Sequence, residues 1–136
     1  PQGGDLCGPV HGAARLMVLA RSPRCLTPRL WIPEYGDPDE ADELAWLHAS
    51  SPSHRVEDGP CYPAVLLTSG EGDSRVHPMH ARKMAARLQA ATSCGESHPI
   101  LLQIEARAGH GQGKPVGMQA DELADVLAFF RHQLSG

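Results

Sequence analysis

Two short apolar runs, separated by one helical pattern, constrain the fold of this chain most. The runs "PAVLLTS" and "PILLQIEA" have strand length and continuous apolar character, which is typical of strands buried on both faces of a parallel sheet. Between them, Pro78 suits the first turn of a helix, and one apolar face follows at helical spacing: Ala81, Met84, Ala85 and Leu88. The order strand, helix, strand predicts a βαβ unit and therefore an α/β fold.

A second helix is predicted at the end of the chain, after the glycine-rich loop "RAGHGQGKPVG". Its apolar face is marked by five residues: Leu123, Val126, Leu127, Phe130 and Leu134. Two strands do not make a stable sheet covered on both faces. We therefore expect the C-terminal part of a larger α/β domain, or a sheet that borrows strands from elsewhere.

The first thirty residues differ in character from the rest. Residues 1–30 have scattered prolines, no clear period and one candidate strand, "RLMVLA". From Trp31 onward, "WIPEYGDPDEADELAWLH" carries turn chemistry at Gly36–Pro38 and then an acidic start that suits a short helix. We divide the chain into an irregular segment, 1–30, and a folded part, 31–136.

Composition narrows the classes of function. The net charge is −4 and the pI is near 6.0, so no basic surface for nucleic acid is expected. No apolar run reaches the length of a membrane span, and the N-terminus lacks the order of a signal peptide. The cysteines form no CxxC pair and predict reduced thiols in a cytoplasmic compartment: Cys7, Cys25, Cys61 and Cys94.

An acid and a histidine follow the two predicted strands. Asp73 lies in "GDSRVHPMH" after the first strand, and His110 lies in "AGHG" after the second. Neighbouring parallel strands are about 5 Å apart, and functional groups gather beyond their carboxyl ends, so the two side chains can meet. Their order, acid before histidine, is that of the α/β-hydrolases. The alternatives stay open: Asp73 as a turn former, and His110 as a solvent-exposed residue.

Metal binding is a further alternative. The residues that suggest it are His77, His80, Cys94 and His98. His77 and His80 have a spacing that can place both on one helical face, but the set lacks a standard ligand spacing. We predict no metal and no cofactor.

Several motifs together resemble one family. "WIPEYG", "LHASSPSHRV", "YPAVLLTSGEGDSRVHPMHARKMAARLQ", "LLQIEARAGHGQGKP" and the closing "FF" helix are similar to the C-terminal part of the catalytic α/β-hydrolase domain of prolyl oligopeptidases. "WIPEYG" favours that family over the related acyl-peptide hydrolases and dipeptidyl peptidases. The resemblance covers residues 31–134, and residues 1–30 match the family poorly. The resemblance implies a serine peptidase that cleaves short peptides after proline, with Asp73 as the triad acid and His110 as the triad histidine.

The resemblance also implies contacts with the substrate. Arg75 matches an arginine that binds a peptide carbonyl, and Trp31 matches an indole on which the proline ring stacks. Tyr35 and Val76 match residues that line the same pocket. The alternative is that Trp31 and Tyr35 are packing aromatics and that Arg75 is a surface residue paired with Glu71.

No convincing nucleophile accompanies this pair. Ser93 in "ATSCG" follows a helix and precedes a strand, Ser69 lacks the preceding glycine, and Ser74 is adjacent to Asp73. We therefore expect a truncated chain that is inactive alone and needs the N-terminal part of the enzyme. The alternative is a non-catalytic remnant that acts as a small interaction module.

Overall fold

A parallel pair of strands joined by a helix organises the part of the chain that the structure describes. The structure is a computed structural model, and it describes residues 32–37, 39–74, 76–110 and 114–135. The irregular segment predicted for 1–30, with its candidate strand, lies outside the described residues.

Among the described residues, two helices precede the sheet. Helix α1 is one turn, Ile32–Tyr35, and ends at Gly36, whose φ of +109° favours glycine. Helix α2 spans Ala41–Ser50 and has acidic residues in its first turn, as the sequence predicts. A 3₁₀ turn, Pro52–His54, then leads into the loop before the sheet.

The predicted βαβ unit is confirmed. Strand β1 (Val65–Gly70) pairs in parallel with strand β2 (Ile100–Glu105), in the register Val65 opposite Ile100 to Gly70 opposite Glu105. Helix α3 (Met79–Ala91) forms the crossover and begins directly after Pro78. Of the predicted apolar face, Met84 is half-buried and the other three residues are buried.

A small core lies between α3 and the sheet. Its buried members are Val56, Leu88, Ala91 and Ile100, and four half-buried residues pack against them: Tyr62, Val65, Leu67 and Met84. Gln89 donates a side-chain hydrogen bond to the carbonyl of Ile100 at 2.8 Å, which ties the helix to the second strand. One face of the sheet is therefore well covered.

The other face is not covered in the same way. Helix α4 (Val116–Leu134) has no buried residue, and four of the five residues on its predicted apolar face are 51% to 76% exposed. It contacts the sheet through polar side chains: Gln103 Nε2, on β2, donates a hydrogen bond to Asp125 Oδ2, on α4, at 2.6 Å. The strands are accordingly only partly buried, which differs from the prediction of strands buried on both faces. No helix in the described ranges is long and apolar enough to cross a membrane.

The prediction of reduced thiols is wrong for two of the cysteines. Cys61 and Cys94 form a disulfide, with a Cα–Cα distance of 5.2 Å. The pairing arises because the segment before β1 runs beside the end of α3: Ser93 N donates to the carbonyl of Pro60 at 3.1 Å. Cys7 and Cys25 lie outside the described residues. A cytoplasmic location stays a prediction, and disulfides are rare in that compartment.

Candidate active site

Two loops meet at the carboxyl edge of the sheet. The first follows β1 and the second follows β2, and backbone hydrogen bonds join them. Glu71 N donates to the carbonyl of Glu105 at 2.9 Å, and Gly72 N donates to the carbonyl of Ala108 at 3.0 Å. Ala108 is buried, whereas Glu71 and Gly72 are exposed. The first bond continues the parallel ladder just beyond the strands, and the second joins the two loops outside the strand register.

Gly70 makes this junction possible. A Cβ at Gly70 would lie 2.5 Å from the carbonyl oxygen of Ala108 and 2.7 Å from that of Gly109. Both neighbours are backbone atoms, which cannot rotate away as a side chain can. The last residue of β1 must therefore be glycine if the second loop is to pass so close.

The junction brings Asp73 and His110 into contact. His110 Nδ1 lies 2.8 Å from Asp73 Oδ2, and the Asp73 side chain is 10% exposed. Val76 N donates to Asp73 Oδ1 at 2.8 Å, so each carboxylate oxygen has a hydrogen-bonded neighbour. These contacts fix the carboxylate in one orientation. The sequence predicts that the side chains of Asp73 and His110 can meet, and in the structure they lie within hydrogen-bond distance.

The contact leaves the imidazole suited to proton transfer. In a neutral histidine that donates from Nδ1 to a carboxylate, Nε2 is the acceptor and points to the opposite side of the ring. The His110 side chain is 35% exposed, so the ring can be reached. A largely buried carboxylate behind such a ring stabilises the imidazolium that forms when Nε2 takes a proton.

The remaining predicted residues are only partly placed. Val76 is half-buried and adjacent to the pair through its backbone N–H. Trp31 and Arg75 lie outside the described residues, and Tyr35 is described only as backbone within α1. Glu71, the alternative partner of Arg75, contacts Arg82 Nη2 at 2.5 Å. The roles predicted for these four residues stay predictions.

The three serines considered as substitutes lie in different places. Ser69 is inside β1, opposite Ile104, and Ser74 is exposed beside Asp73. Ser93 follows α3 and precedes β2, so it lies near the amino edge of the sheet, whereas His110 lies beyond the carboxyl edge. A strand of this length separates those edges by roughly 20 Å, at about 3.3 Å per residue. Ser93 is therefore too far from His110 to give it a proton.

The four residues that suggested metal binding in the sequence do not form one site: His77, His80, Cys94 and His98. Among the described residues, the group of metal-ligating side chains with mutually close atoms is Cys61, Cys94 and His98. His77 Nδ1 instead accepts a hydrogen bond from Met79 N at 3.1 Å, and His80 is buried in α3. Sequence reasoning missed Cys61 as a neighbour of Cys94, and it missed the need for Gly70.

Comparison with known proteins identifies the family of this chain. A family model described as the prolyl oligopeptidase family matches residues 13–136, so the match begins within the N-terminal segment. The prolyl endopeptidase of Elizabethkingia meningoseptica is 37% identical over 105 residues, which is 76% of this chain and 15% of that protein.

Solved structures of prolyl oligopeptidases are also similar to this chain. A structure from a study of two prolyl endopeptidases superposes with a TM-score of 0.71 at 38% identity, covering 79% of this chain and 16% of that one. Prolyl oligopeptidase B from Galerina marginata, bound to a 35mer substrate, has a TM-score of 0.71 at 37% identity, covering 79% and 15%. The chain thus spans about 15% of the length of the curated relatives that it matches. This chain belongs to the prolyl oligopeptidase family.

Proposed function

We propose that this chain supplies the acid and the histidine of a Ser-His-Asp peptidase that hydrolyses short peptides after proline. The observation that carries the proposal is the 2.8 Å contact between His110 Nδ1 and the largely buried carboxylate of Asp73. Three structures of the Galerina enzyme carry alanine in place of a serine, a histidine and an aspartate. That aspartate precedes that histidine by the same 37 residues that separate Asp73 from His110.

In this proposal His110 acts as the general base and acid. Its Nε2 takes the proton of a serine hydroxyl as the serine attacks the carbonyl carbon of the proline residue, and later gives that proton to the leaving amine as the peptide bond breaks. Asp73 holds the ring and stabilises its cation. Water then attacks the acyl-enzyme as His110 accepts one of its protons, and His110 gives that proton to the serine oxygen as the bond between that oxygen and the acyl carbon breaks. Arg75, Trp31, Tyr35 and Val76 are proposed to hold the substrate, as the family resemblance implies.

The serine and its oxyanion hole are proposed to come from a further part of the catalytic domain. Ser93 lies at the wrong edge of the sheet, and Ser69 and Ser74 lack a nucleophile elbow. The exposed apolar row on α4 supports the same view, because an apolar face of this size is normally covered. By itself the chain is proposed to be inactive.

A chimera tests the function directly. Residues 31–136 replace the matching segment of the Elizabethkingia prolyl endopeptidase, and hydrolysis of a chromogenic Gly-Pro p-nitroanilide is measured. We expect turnover by the chimera and a loss of at least about a thousandfold in kcat/KM with His110→Ala. His132→Ala, in the last turn of α4, is the control and should leave turnover unchanged. A folded chimera without activity would instead favour the non-catalytic interaction module.

A further inference from the structure

A cluster on the opposite side of the molecule from the active site contains three good metal ligands. The sulfur atoms of Cys61 and Cys94 and one ring nitrogen of His98 all lie within 4.8 Å of one another. Cys61 is exposed and Cys94 is half-buried, so solvent reaches the cluster. The cluster lies at the amino edge of the sheet, before β2, and the proposed peptidase chemistry does not use it.

The local backbone holds the ligands together without the disulfide bond. His98 N donates to the carbonyl of Cys94 at 2.9 Å, a helical turn that places these two residues on one side. Cys61 is held beside them because Ser93 N binds the carbonyl of Pro60, and Tyr62 N binds Thr92 Oγ1 at 3.3 Å. None of these hydrogen bonds involves a cysteine sulfur, so reduction of the disulfide removes none of them.

The distances fit a tetrahedral ion after a small movement. Zinc binds sulfur at about 2.3 Å and nitrogen at about 2.0–2.1 Å, so tetrahedral ligands put two sulfurs about 3.8 Å apart and a sulfur and a nitrogen about 3.5 Å apart. Cys61 Sγ already lies 3.7 Å from His98 Nδ1. Ser97 Oγ, which contacts the same nitrogen at 2.9 Å, must move aside. The two sulfurs, which are bonded to each other in the disulfide, must move apart to about 3.8 Å, and reduction of the disulfide permits this movement.

We propose that Cys61, Cys94 and His98 form a redox-controlled site for a borderline divalent metal such as Zn²⁺. A dithiol reductant breaks the disulfide: its own two sulfurs become joined, and its two electrons and two protons pass to Cys61 and Cys94. The metal then displaces both thiol protons and binds two thiolates and one imidazole. Water completes the coordination, because Cys61 faces solvent. A small-molecule disulfide reverses the change: it accepts two electrons from the two thiolates and takes up two protons to become two thiols, the Cys61–Cys94 bond re-forms, and the metal is released.

Cobalt titration of the full 136-residue chain tests the proposal. Cys7→Ser and Cys25→Ser are included throughout, so that the thiols outside the described residues do not bind the probe. The chain is reduced with a phosphine, desalted without oxygen and titrated with Co²⁺, whose bonds to thiolate give charge-transfer absorption. We expect one Co²⁺ per chain, release of two protons, displacement by Zn²⁺ and no binding to the oxidised chain.

Variants separate this site from adventitious binding. Cys61→Ser removes one of the two thiolates and should lower both the charge-transfer absorption and the affinity for Co²⁺, and His98→Ala should weaken binding at least about tenfold by removing one ligand. His77→Ala is the matched control and should leave the affinity unchanged, because His77 Nδ1 accepts a hydrogen bond from Met79 N and takes no part in the cluster. Equal binding by the oxidised chain or by Cys61→Ser would overturn the proposal, as would a reduced chain that gives no thiolate band. If circular dichroism shows that the reduced chain unfolds, Zn²⁺ should restore the helical signal, and failure to do so would also refute the site.

Discussion

Gly70→Ala tests whether the junction of the two loops aligns the catalytic pair. The added Cβ would meet the Ala108 carbonyl oxygen at 2.5 Å, whereas ordinary contact begins near 3.4 Å. The second loop, which carries His110, must therefore move by about 0.9 Å. A misplacement of about 1 Å can cost about a hundredfold in rate, and forcing extra volume into a packed site costs about 1–3 kcal/mol of folding free energy.

Steady-state hydrolysis by the Elizabethkingia chimera measures the loss of rate, and urea unfolding of the 136-residue chain measures the loss of folding free energy. We expect kcat/KM to fall by about a hundredfold. Gly117→Ala is the matched control, because a Cβ there meets nothing within 4 Å, and it should leave the rate unchanged. If Gly70→Ala keeps its rate within threefold and its midpoint in urea, the close approach of the loops does not position His110.

Three further predictions concern the acid, the disulfide and α4. Asp73→Asn in the chimera should lower kcat by about ten-thousandfold, since it leaves His110 in the wrong tautomer; a loss below tenfold would argue against that role. Cys61→Ala should lower the free energy of unfolding of the oxidised chain by roughly 2–4 kcal/mol, because the bond closes a loop with a sequence separation of 33; an unchanged urea midpoint would contradict this. Leu127→Glu should reduce self-association of the isolated chain in light scattering and change its unfolding free energy by less than about 0.5 kcal/mol, because Leu127 is 58% exposed. The same change should lower the melting temperature of the chimera, and equal melting temperatures would mean that nothing covers α4.

The secondary structure could be predicted because its signals are local. The apolar runs around Val65 and Ile100 have strand length, and Pro78 marks the start of α3 within one residue. Consecutive parallel strands then place Asp73 and His110 at one edge of the sheet, so their approach follows from chain order and strand spacing.

The rest depends on packing between distant segments. The pairing of Cys61 with Cys94 requires the loop before β1 to run beside the end of α3, and no spacing rule shows this. The need for glycine at position 70 depends on a carbonyl nearly forty residues later in the chain. The exposure of α4 depends on what is available to cover it, whereas the periodicity around Leu127 predicts only that an apolar face exists.

The most direct test of the central claim is the rate at which a fluorophosphonate labels the serine of the chimera. Only a serine whose proton is taken by a neighbouring base reacts quickly with this reagent. If the Asp73–His110 pair is that base, His110→Ala should slow labelling by at least about a thousandfold while the chimera stays folded. Labelling of His110→Ala at the unsubstituted rate would show that another group activates the serine, and the proposed role of this chain would be wrong.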